Sequence, residues 1–249
     1  MSSIKKIFSK IIGWYGFKLI TKNHVKNLRI IGKKSNLKLN VILEKIFKEQ
    51  KINYLIQIGA NDGVRFDNLN FFIKKYKIKS ILVEPVSKYF QNLKSNYNDC
   101  EYVKLENFAI SSNKKKKLIY VVSDKYINKY GNHIPGINSF NINHLISHGV
   151  KKKHIESKEI NSISIKELID KHKISNLDLL FIDAEGYDGN IVFDFLEKIN
   201  FRPIIIFEFI HIESDFFEKV INKLDETNYE YFEIQENLVC APKGENKIL

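Results

Sequence analysis

Acidic side chains stand at the ends of three apolar runs in this 249-residue sequence, and a glycine turn ends a fourth run. The acids are Glu84, Asp183 and Glu208, and the turn occupies residues 59–63, after the apolar run 54–58. Each run has the length and composition of a buried strand. Because ligands bind beyond the carboxyl ends of parallel strands, we expect these groups to converge on one binding site.

The glycine turn predicts a nucleoside site. Glycine lets the backbone approach a ligand closely, and Glu84 at the end of the next run can accept both hydroxyls of a ribose. A dinucleotide cofactor would need glycine where the chain has Asn61 and Val64, and Asp62 would repel its pyrophosphate. A nucleoside with a cationic amine and no phosphate suits the turn better, and S-adenosylmethionine is such a ligand.

Methyl transfer from such a ligand to a hydroxyl needs a group that accepts the hydroxyl proton. The candidates near the strand ends are Asp183, Glu185, Glu208 and His211. Structural roles compete with this one. Asp183 can cap the helix that follows it, Glu208 can accept hydrogen bonds from loop amides, and His211 can lie at the surface. Asp188 is predicted to be a helix cap.

A metal ion is not part of the predicted site. The three carboxylates at 183, 185 and 208 offer the oxygen ligands that Mg²⁺ prefers, so a divalent cation is compatible with the sequence. His144 and His148 are four residues apart but have no third ligand near them in the sequence, which argues against zinc. With His133 and His154 they are expected to line a polar acceptor site or to lie in solvent.

Apolar runs alternate with amphipathic segments along most of the chain, and the central runs are apolar on both faces. This pattern predicts an α/β fold of the Rossmann-like kind, with a mostly parallel sheet covered by helices on both sides. The last two runs, 229–234 and 238–241, predict an antiparallel hairpin at one edge. Residues 102–110 and 118–122 are expected to form strands joined by a hairpin tip at 114–117.

The chain divides into an N-terminal extension, residues 1–50, and a catalytic domain, residues 51–249. Residues 123–158 lack periodicity and are expected to form a lid or an acceptor-binding loop within that domain. Residues 1–20 predict a basic amphipathic helix, which either packs on the domain or lies on an anionic membrane surface. Its apolar run is too short to span a bilayer, and no signal-peptide cleavage site follows it.

The composition restricts the partners and the compartment. The formal net charge is +11, yet only three of the 40 basic residues are arginine, a lysine-rich composition that coding bias can produce. We therefore predict no nucleic-acid partner. Cys100 and Cys240 form no disulfide framework, which favours a cytoplasmic protein. Residues 1–20 would add peripheral contact with the inner face of the membrane if they bind lipid.

Five motifs follow one another along the chain. They are Gln57-Ile58-Gly59-Ala60-Asn61-Asp62-Gly63, Val83-Glu84-Pro85, Asn107-Phe108-Ala109-Ile110, Ile182-Asp183-Ala184-Glu185-Gly186-Tyr187-Asp188 and Phe207-Glu208. In this order they resemble the FkbM family of S-adenosylmethionine-dependent methyltransferases, over residues 50–235 or so. Residues 136–140, Gly-Ile-Asn-Ser-Phe, resemble a segment that precedes the acid motif in one branch of that family.

The resemblance implies a seven-stranded methyltransferase sheet and O-methylation of a hydroxyl on a sugar, in a surface polysaccharide, a glycolipid or a glycosylated metabolite. It implies that Glu84 holds the ribose and that Asn107 and Phe108 lie near the adenine. Gln57 stands where many members have Asp, so Asp62 or Asp67 is left to pair with the methionine ammonium. The residues expected to bind the cofactor are Gln57, Gly59, Ala60, Asn61, Asp62, Gly63, Asp67, Glu84, Pro85, Asn107, Phe108 and Ala109.

Two other functions fit part of the sequence. An NAD-linked, sugar-modifying oxidoreductase would share the α/β architecture, but the turn lacks its glycines and no Tyr-x-x-x-Lys pair stands in the expected place. A non-catalytic module that binds membrane or RNA would use the lysines. It would leave the acids at the strand ends unexplained.

Overall fold

A mostly parallel sheet forms the centre of the molecule. The structure, a computed structural model, describes residues 22–32, 34–35, 37–112, 115–131 and 134–244. The strands in this part of the chain are β1 (Lys34–Ser35), β2 (Tyr54–Ile58), β3 (Lys79–Val83), β4 (Val103–Glu106), β5 (Ala109–Ile110), β6 (Lys116–Val122), β7 (Ile155–Ile163), β8 (Leu179–Ile182), β9 (Ile204–Glu208), β10 (Tyr229–Ile234) and β11 (Asn237–Pro242). The main sheet has the strand order β1-β10-β11-β9-β8-β2-β3-β4, and a second sheet has the order β5-β7-β6.

The seven-stranded α/β sheet predicted from the sequence is confirmed, with the two-residue strand β1 added beside β10. β11 runs antiparallel to both of its neighbours, β9 and β10. The central strands β2, β3, β8 and β9 are parallel to one another. All four residues of β8 are buried. Burial on both faces is the reason these strands have continuous apolar sequences and no alternation.

Helices cover both faces of the main sheet. The helices of the described residues are α1 (Lys22–Ile31), α2 (Leu39–Glu49), α3 (Asn70–Tyr76), α4 (Ser87–Asn96), α5 (Ile142–Ser147), α6 (Ile165–Lys171), α7 (Asp188–Lys198) and α8 (Ser214–Glu226). All but α5 pack on the main sheet, and α5 belongs to a separate core. On one face α1, α6, α7 and α8 share a core with Ile56 and Ile58 of β2. On the other, α2, α3 and α4 share a core with Leu55. Neighbouring residues of β2 thus point to opposite faces, as the period of a strand requires.

The helix α1 packs against the loop that follows β9. Ile31 belongs to the main core. The buried Asn27 donates two hydrogen bonds from Nδ2, to the carbonyl oxygens of Phe209 at 3.1 Å and Ile212 at 2.9 Å. The helix predicted over residues 1–20 lies outside the described residues. Among the described helices, none has the length and hydrophobicity needed to cross a bilayer.

The second sheet differs from the predicted hairpin. Residues 118–122 do not return along β4, which ends at Glu106 in the main sheet. Both β5 and β6 pair with β7 instead, in parallel and antiparallel fashion respectively. β7 begins at Ile155, inside the segment 123–158 that was expected to lack regular structure. Local sequence patterns could not predict this pairing, because more than thirty residues separate the end of β6 from the start of β7.

The segment between β6 and β7 folds into a small unit with a core of its own, which we call the insertion (residues 123–154). It contains α5 and three turns of 3₁₀ helix, at Ile127–Lys129, Ile134–Gly136 and Lys152–His154. Its core includes Val122, Ile134, Ile137, Leu145 and Val150. Ser139 attaches the unit to the site, because its backbone pairs with Tyr120 and its hydroxyl donates to the carbonyl oxygen of Glu185 at 2.7 Å. Whether the insertion acts as a lid stays a prediction.

The close approach of β2 to β8 yields a stability prediction. Gly59 has a φ of +85°, and a Cβ there would lie 1.8 Å from the carbonyl oxygen of Asp183. We expect Gly59→Ala to lower the free energy of unfolding by more than about 3 kcal/mol, because the backbone of one strand end must move.

Gly149→Ala is the matched control, since its φ is +88° but no atom lies within 4 Å of the added Cβ. Its cost should stay near 1–2 kcal/mol, the strain of the left-handed backbone alone. Urea denaturation of both variants measures the difference. Equal losses in the two variants would contradict the proposed close contact.

Candidate active site

A cavity of about 360 Å³ opens at the carboxyl ends of the central strands. Its walls come from the turn after β2, the ends of β3, β8 and β9, and the insertion. The lining includes Gln57, Gly59, Ala60, Asn61, Arg65, Phe66, Asp67, Glu84, Pro85, Ala109, Gly136, Asn138, Phe140, His148, Asp183, Glu185, Glu208, Ile210, His211 and Glu236. The structure thus brings the three acidic strand ends and the glycine turn to one cavity.

Most residues predicted for the site line this cavity, and four do not. Those that line it are Gln57, Gly59, Ala60, Asn61, Asp67, Glu84, Pro85, Ala109, Asp183, Glu185, Glu208 and His211. Asp62, Gly63, Asn107 and Phe108 are not among the lining residues. Sequence analysis missed Arg65, Phe66, Ile210 and Glu236, which lie in loops where neither periodicity nor motif marks them.

Asp62 and Gly63 shape the turn after β2. Asp62 accepts the amide protons of Val64 and Arg65 through Oδ1, at 3.0 and 2.7 Å. Gly63 lies against α4, where an added Cβ would be 2.5 Å from Cδ1 of Leu93. Both residues therefore fix the path of the backbone around the cavity, and neither faces the cavity itself.

Asn107 and Phe108 support the end of β3. Asn107 donates from Nδ2 to the carbonyl oxygens of Glu84 and Pro85, at 2.8 and 3.2 Å. Phe108 is buried in the main core. These contacts hold the segment that carries the Glu84 carboxylate, so the two residues affect the cavity through Glu84 and Pro85.

Two acceptor atoms beside the glycine turn are buried without a hydrogen-bond partner. Gln57 donates from Nε2 to Oδ1 of Asp67 at 3.2 Å, which leaves Oε1 of Gln57 and Oδ2 of Asp67 unsatisfied. Burial raises the pKa of the Asp67 carboxyl. Unsatisfied buried acceptors cost about 1–3 kcal/mol each. A ligand ammonium placed between them would satisfy both atoms.

The Glu84 carboxylate lies at the end of β3 and faces the turn. Its two oxygens accept the amide protons of Asn61 at 2.9 Å and Val86 at 2.7 Å. Burial still raises its pKa to about 7, with the nearby Asp183 and Asp62 adding to the rise. Each carboxylate oxygen accepts more than one hydrogen bond. Glu84 can therefore still accept the two hydroxyls of a ribose.

Carboxyl groups crowd the ends of β8 and β9. Burial, followed by repulsion from Asp188, raises the pKa of Asp183 to about 7. Burial and repulsion from Asp183 raise the pKa of both Glu185 and Glu208 well above the usual range. Asp183 lies deep in the protein, but its side chain is exposed to the cavity. It is thus both perturbed and accessible to a ligand.

Asp188 holds the loop between β8 and α7. It is the first residue of α7, and Tyr187 occupies the capping position that the sequence assigned to Asp188. Its carboxylate accepts the amide protons of Ala184 and Gly186, each at 3.1 Å. Burial raises its pKa to about 6 in spite of these bonds. The loop that carries Glu185 is fixed by this carboxylate.

Two histidines lie beside these acids, His144 of α5 and His211 of the loop after β9. Nε2 of His144 lies 2.7 Å from Oε2 of Glu185, and Nε2 of His211 lies 3.6 Å from Oε2 of Glu208. Burial lowers the pKa of His144 to about 3 and of His211 to about 4. Both imidazoles are therefore neutral at pH 7 and add no positive charge to the site.

His154, another histidine of the expected acceptor site, does not join this group. His154 stacks on Tyr126, with ring centres 4.0 Å apart, and bonds to the hydroxyl of Tyr130. It supports the insertion and does not line the cavity. His133 lies outside the described residues.

The charge of the cavity favours a cationic ligand. Its described lining contains six carboxyl groups, on Asp67, Glu84, Asp183, Glu185, Glu208 and Glu236, and one permanently charged cation, Arg65. The sulfonium and ammonium of S-adenosylmethionine would offset this excess, whereas a pyrophosphate would increase it. The unsatisfied acceptors of Gln57 and Asp67 and the Glu84 carboxylate also fit that cofactor.

Comparison with known proteins gives a family match. Residues 57–231 match the family model described as the methyltransferase FkbM domain. A search of curated protein sequences finds no match.

Solved structures resemble the chain at low identity. The methyltransferase FkbM of Methylobacillus flagellatus KT has 11% identity and a TM-score of 0.48, covering 97% of this chain and 71% of its own. The O-methyltransferase of Bacillus cereus in complex with SAH has 8% identity and a TM-score of 0.45, covering 95% and 97%. The METTL16 MTase domain has 11% identity and a TM-score of 0.46, covering 81% of this chain and 65% of that domain. The chain thus spans slightly less than two thirds of that last relative.

The raised pKa of Asp183 predicts how a substitution changes stability with pH. The native carboxyl, with a pKa of about 7, binds its proton more tightly than the unfolded chain, where the value is 3.8. The contribution of Asp183 to stability therefore falls as the pH rises through this window. We expect Asp183→Asn to exceed the wild type in free energy of unfolding, by a margin that grows from about pH 4 to pH 7 and then levels off.

Urea titrations of the ligand-free proteins at several pH values across this window measure the margin. Asp99→Asn, at an exposed acid, serves as the control and should show no such growth. A margin that shrinks with rising pH, or one that the control reproduces, would show that burial of Asp183 does not raise its pKa.

Proposed function

The chain belongs to the FkbM family of S-adenosylmethionine-dependent methyltransferases, and on this premise we propose that it methylates a hydroxyl group of a sugar or glycan. The acceptor class is a surface polysaccharide, a glycolipid or a glycosylated metabolite. One observation carries the proposal: the acid-lined cavity runs from the glycine turn to Asp183 and on to the insertion. When bound, the cofactor supplies a methyl group attached to a cationic sulfur. The sulfur is a good leaving group because it departs as a neutral thioether.

The donor half of the cavity would hold the cofactor by its polar groups. Oε1 of Gln57 and Oδ2 of Asp67 would accept the protons of its ammonium, and these are the two unsatisfied acceptors. Glu84 would accept the ribose hydroxyls. Gly59 lets the β2 turn lie against the end of β8, so that the donor and acceptor halves adjoin. Holding two reactants in contact is the main contribution a protein makes to such a transfer.

Asp183 is the base that the geometry favours. A sugar hydroxyl is a weak nucleophile until a base removes its proton. Asp183 is exposed to the cavity, and its pKa of about 7 lets it accept a proton near neutral pH. Glu185 is engaged by His144, and Asp188 is engaged by loop amides. The hydroxyl proton would therefore pass to a carboxylate oxygen of Asp183.

The acceptor half combines an aromatic ring with polar side chains. Phe140 lines the cavity and is packed edge to face against Tyr187, with ring centres 5.1 Å apart. Lys117 lies over both rings, 4.9 Å from the first and 4.7 Å from the second. An aromatic face can pack against the C–H surface of a sugar, while Asn138 and Glu208 bind its hydroxyls. This composition supports a sugar acceptor.

Transfer of a deuterated methyl group tests the proposal. We would incubate the protein with S-adenosylmethionine labelled in its methyl group and with polysaccharide, glycolipid and glycosylated small-molecule fractions. Mass spectrometry then locates the label, which is expected as a methyl ether on a sugar. Label on nitrogen, on nucleic acid or on protein would contradict the proposed acceptor class.

The same assay tests the role of Asp183. Asp183→Asn should still bind the cofactor, more weakly because it lacks the negative charge, but at saturating cofactor it should lose at least about 100-fold in turnover, the usual worth of a positioned base. The wild-type kcat/KM for the cofactor should rise with pH up to about 7 and then level off, because this ratio reports ionisation of the base in the cofactor-free protein. Asp99→Asn is the matched control and should retain activity. Full turnover in Asp183→Asn would exclude Asp183 as the base.

A further inference from the structure

Three imidazole rings meet at the edge of the cavity. His144 and His148 lie one helical turn apart at the end of α5, and His211 comes from the loop after β9. One possible ligand atom of each lies within 4.8 Å of those of the other two, and this is the group of metal-binding side chains that converges among the described residues. We propose that His144, His148 and His211 bind a divalent transition-metal ion, zinc above all.

The spacing of the rings suits a tetrahedral ion. Zinc binds imidazole nitrogen at about 2.0–2.1 Å, which places the ring centres of neighbouring ligands about 5 Å apart. The three ring centres here are separated by 4.5, 4.8 and 5.4 Å. The possible ligand nitrogens, which lie within 4.8 Å of one another, would move closer together on binding.

Carboxylates stand behind two of the three rings. Glu185 is 2.7 Å from Nε2 of His144, which leaves Nδ1 of that ring for an ion. Glu208 is 3.6 Å from Nε2 of His211. Metal-binding histidines usually direct their second nitrogen to a carboxylate or carbonyl, which orients the ring and strengthens it as a ligand.

The surrounding structure holds the ligands on two separate supports. Asn27 bonds to the carbonyl oxygens of Phe209 and Ile212, on either side of His211. Ser139 attaches the insertion, and with it α5, to the carbonyl oxygen of Glu185. The free energy needed to bring the three rings together is therefore already supplied by the fold. An ion would join the insertion to the main sheet.

Ligand chemistry selects the metal and leaves one position open. Three nitrogen ligands favour Zn²⁺, Co²⁺ or Ni²⁺ over Mg²⁺, which prefers oxygen. His148 and His211 line the cavity, so the fourth position faces it. A sugar hydroxyl bound at that position would become more acidic and would lose its proton more readily to a carboxylate of the cavity. Only this last consequence rests on the proposed function.

Metal titration of the full chain tests the site. Tag-free protein is stripped with a chelator and titrated with Zn²⁺ by calorimetry, and with Co²⁺ by visible absorption. We expect one tight Zn²⁺ per chain and the intense visible bands of four-coordinate cobalt. His148→Ala and His211→Ala should each weaken Zn²⁺ binding by at least about 100-fold, and Glu185→Gln by about 10- to 100-fold.

His172→Ala is the matched control. Nε2 of His172 lies 2.6 Å from a carboxylate oxygen of Glu106, a similar pair that is not part of the histidine cluster. It should bind Zn²⁺ as the wild type does. Circular dichroism checks that each variant is folded. His148→Ala should disturb the fold least, because His148 follows the last residue of α5. Absence of tight Zn²⁺ binding in the wild type, or unchanged binding in His148→Ala and His211→Ala, would overturn the proposal. Neither result depends on methyl transfer.

Discussion

Burial of several carboxyl groups at one edge of the sheet is the constraint on which the rest of the site depends, and repulsion between them adds to its cost. The parallel topology brings Glu84, Asp183 and Glu208 to one edge of the sheet, where each has a pKa raised by burial. Without a ligand, protons must neutralise part of this charge. Such a site lowers the stability of the folded protein, because burial disfavours ionised carboxylates. A bound cation stabilises the ionised carboxylates and so offsets this cost. The proposed cationic cofactor and the proposed metal ion would both place positive charge near these buried carboxylates.

Two backbone features convert the topology into a usable cavity. Gly59 permits the end of β2 to lie against the end of β8, which places the glycine turn beside Asp183. Asp188 then anchors the following loop by its amides and so presents Glu185. Neither residue needs to touch the reacting atoms. The insertion completes the cavity from the other side, and its attachment through Ser139 brings the histidines of α5 to the acids.

Sequence patterns predicted those features of the fold that depend on local hydrophobic periodicity. The buried strands and their acidic ends were predicted because each apolar run is short and stops at a polar residue. The motif at residues 57–63 located the turn, but only the fold shows that Asp62 faces loop amides and not the cavity. The β6–β7 pairing and the approach of His211 to the histidines of α5 join segments far apart in the chain. No local signal reports such contacts, which is why the sequence alone offered His144 and His148 without a third ligand.

Calorimetry of cofactor binding tests the central claim that the acid-lined cavity receives a cationic nucleoside. S-adenosylmethionine is titrated at pH 7 into the protein in two buffers that differ in their enthalpy of ionisation. The predicted result is saturable binding with release of protons, because a bound cation lowers the pKa of Asp183 and Glu84 from about 7. No saturable heat in either buffer, or uptake of protons on binding, would contradict the account.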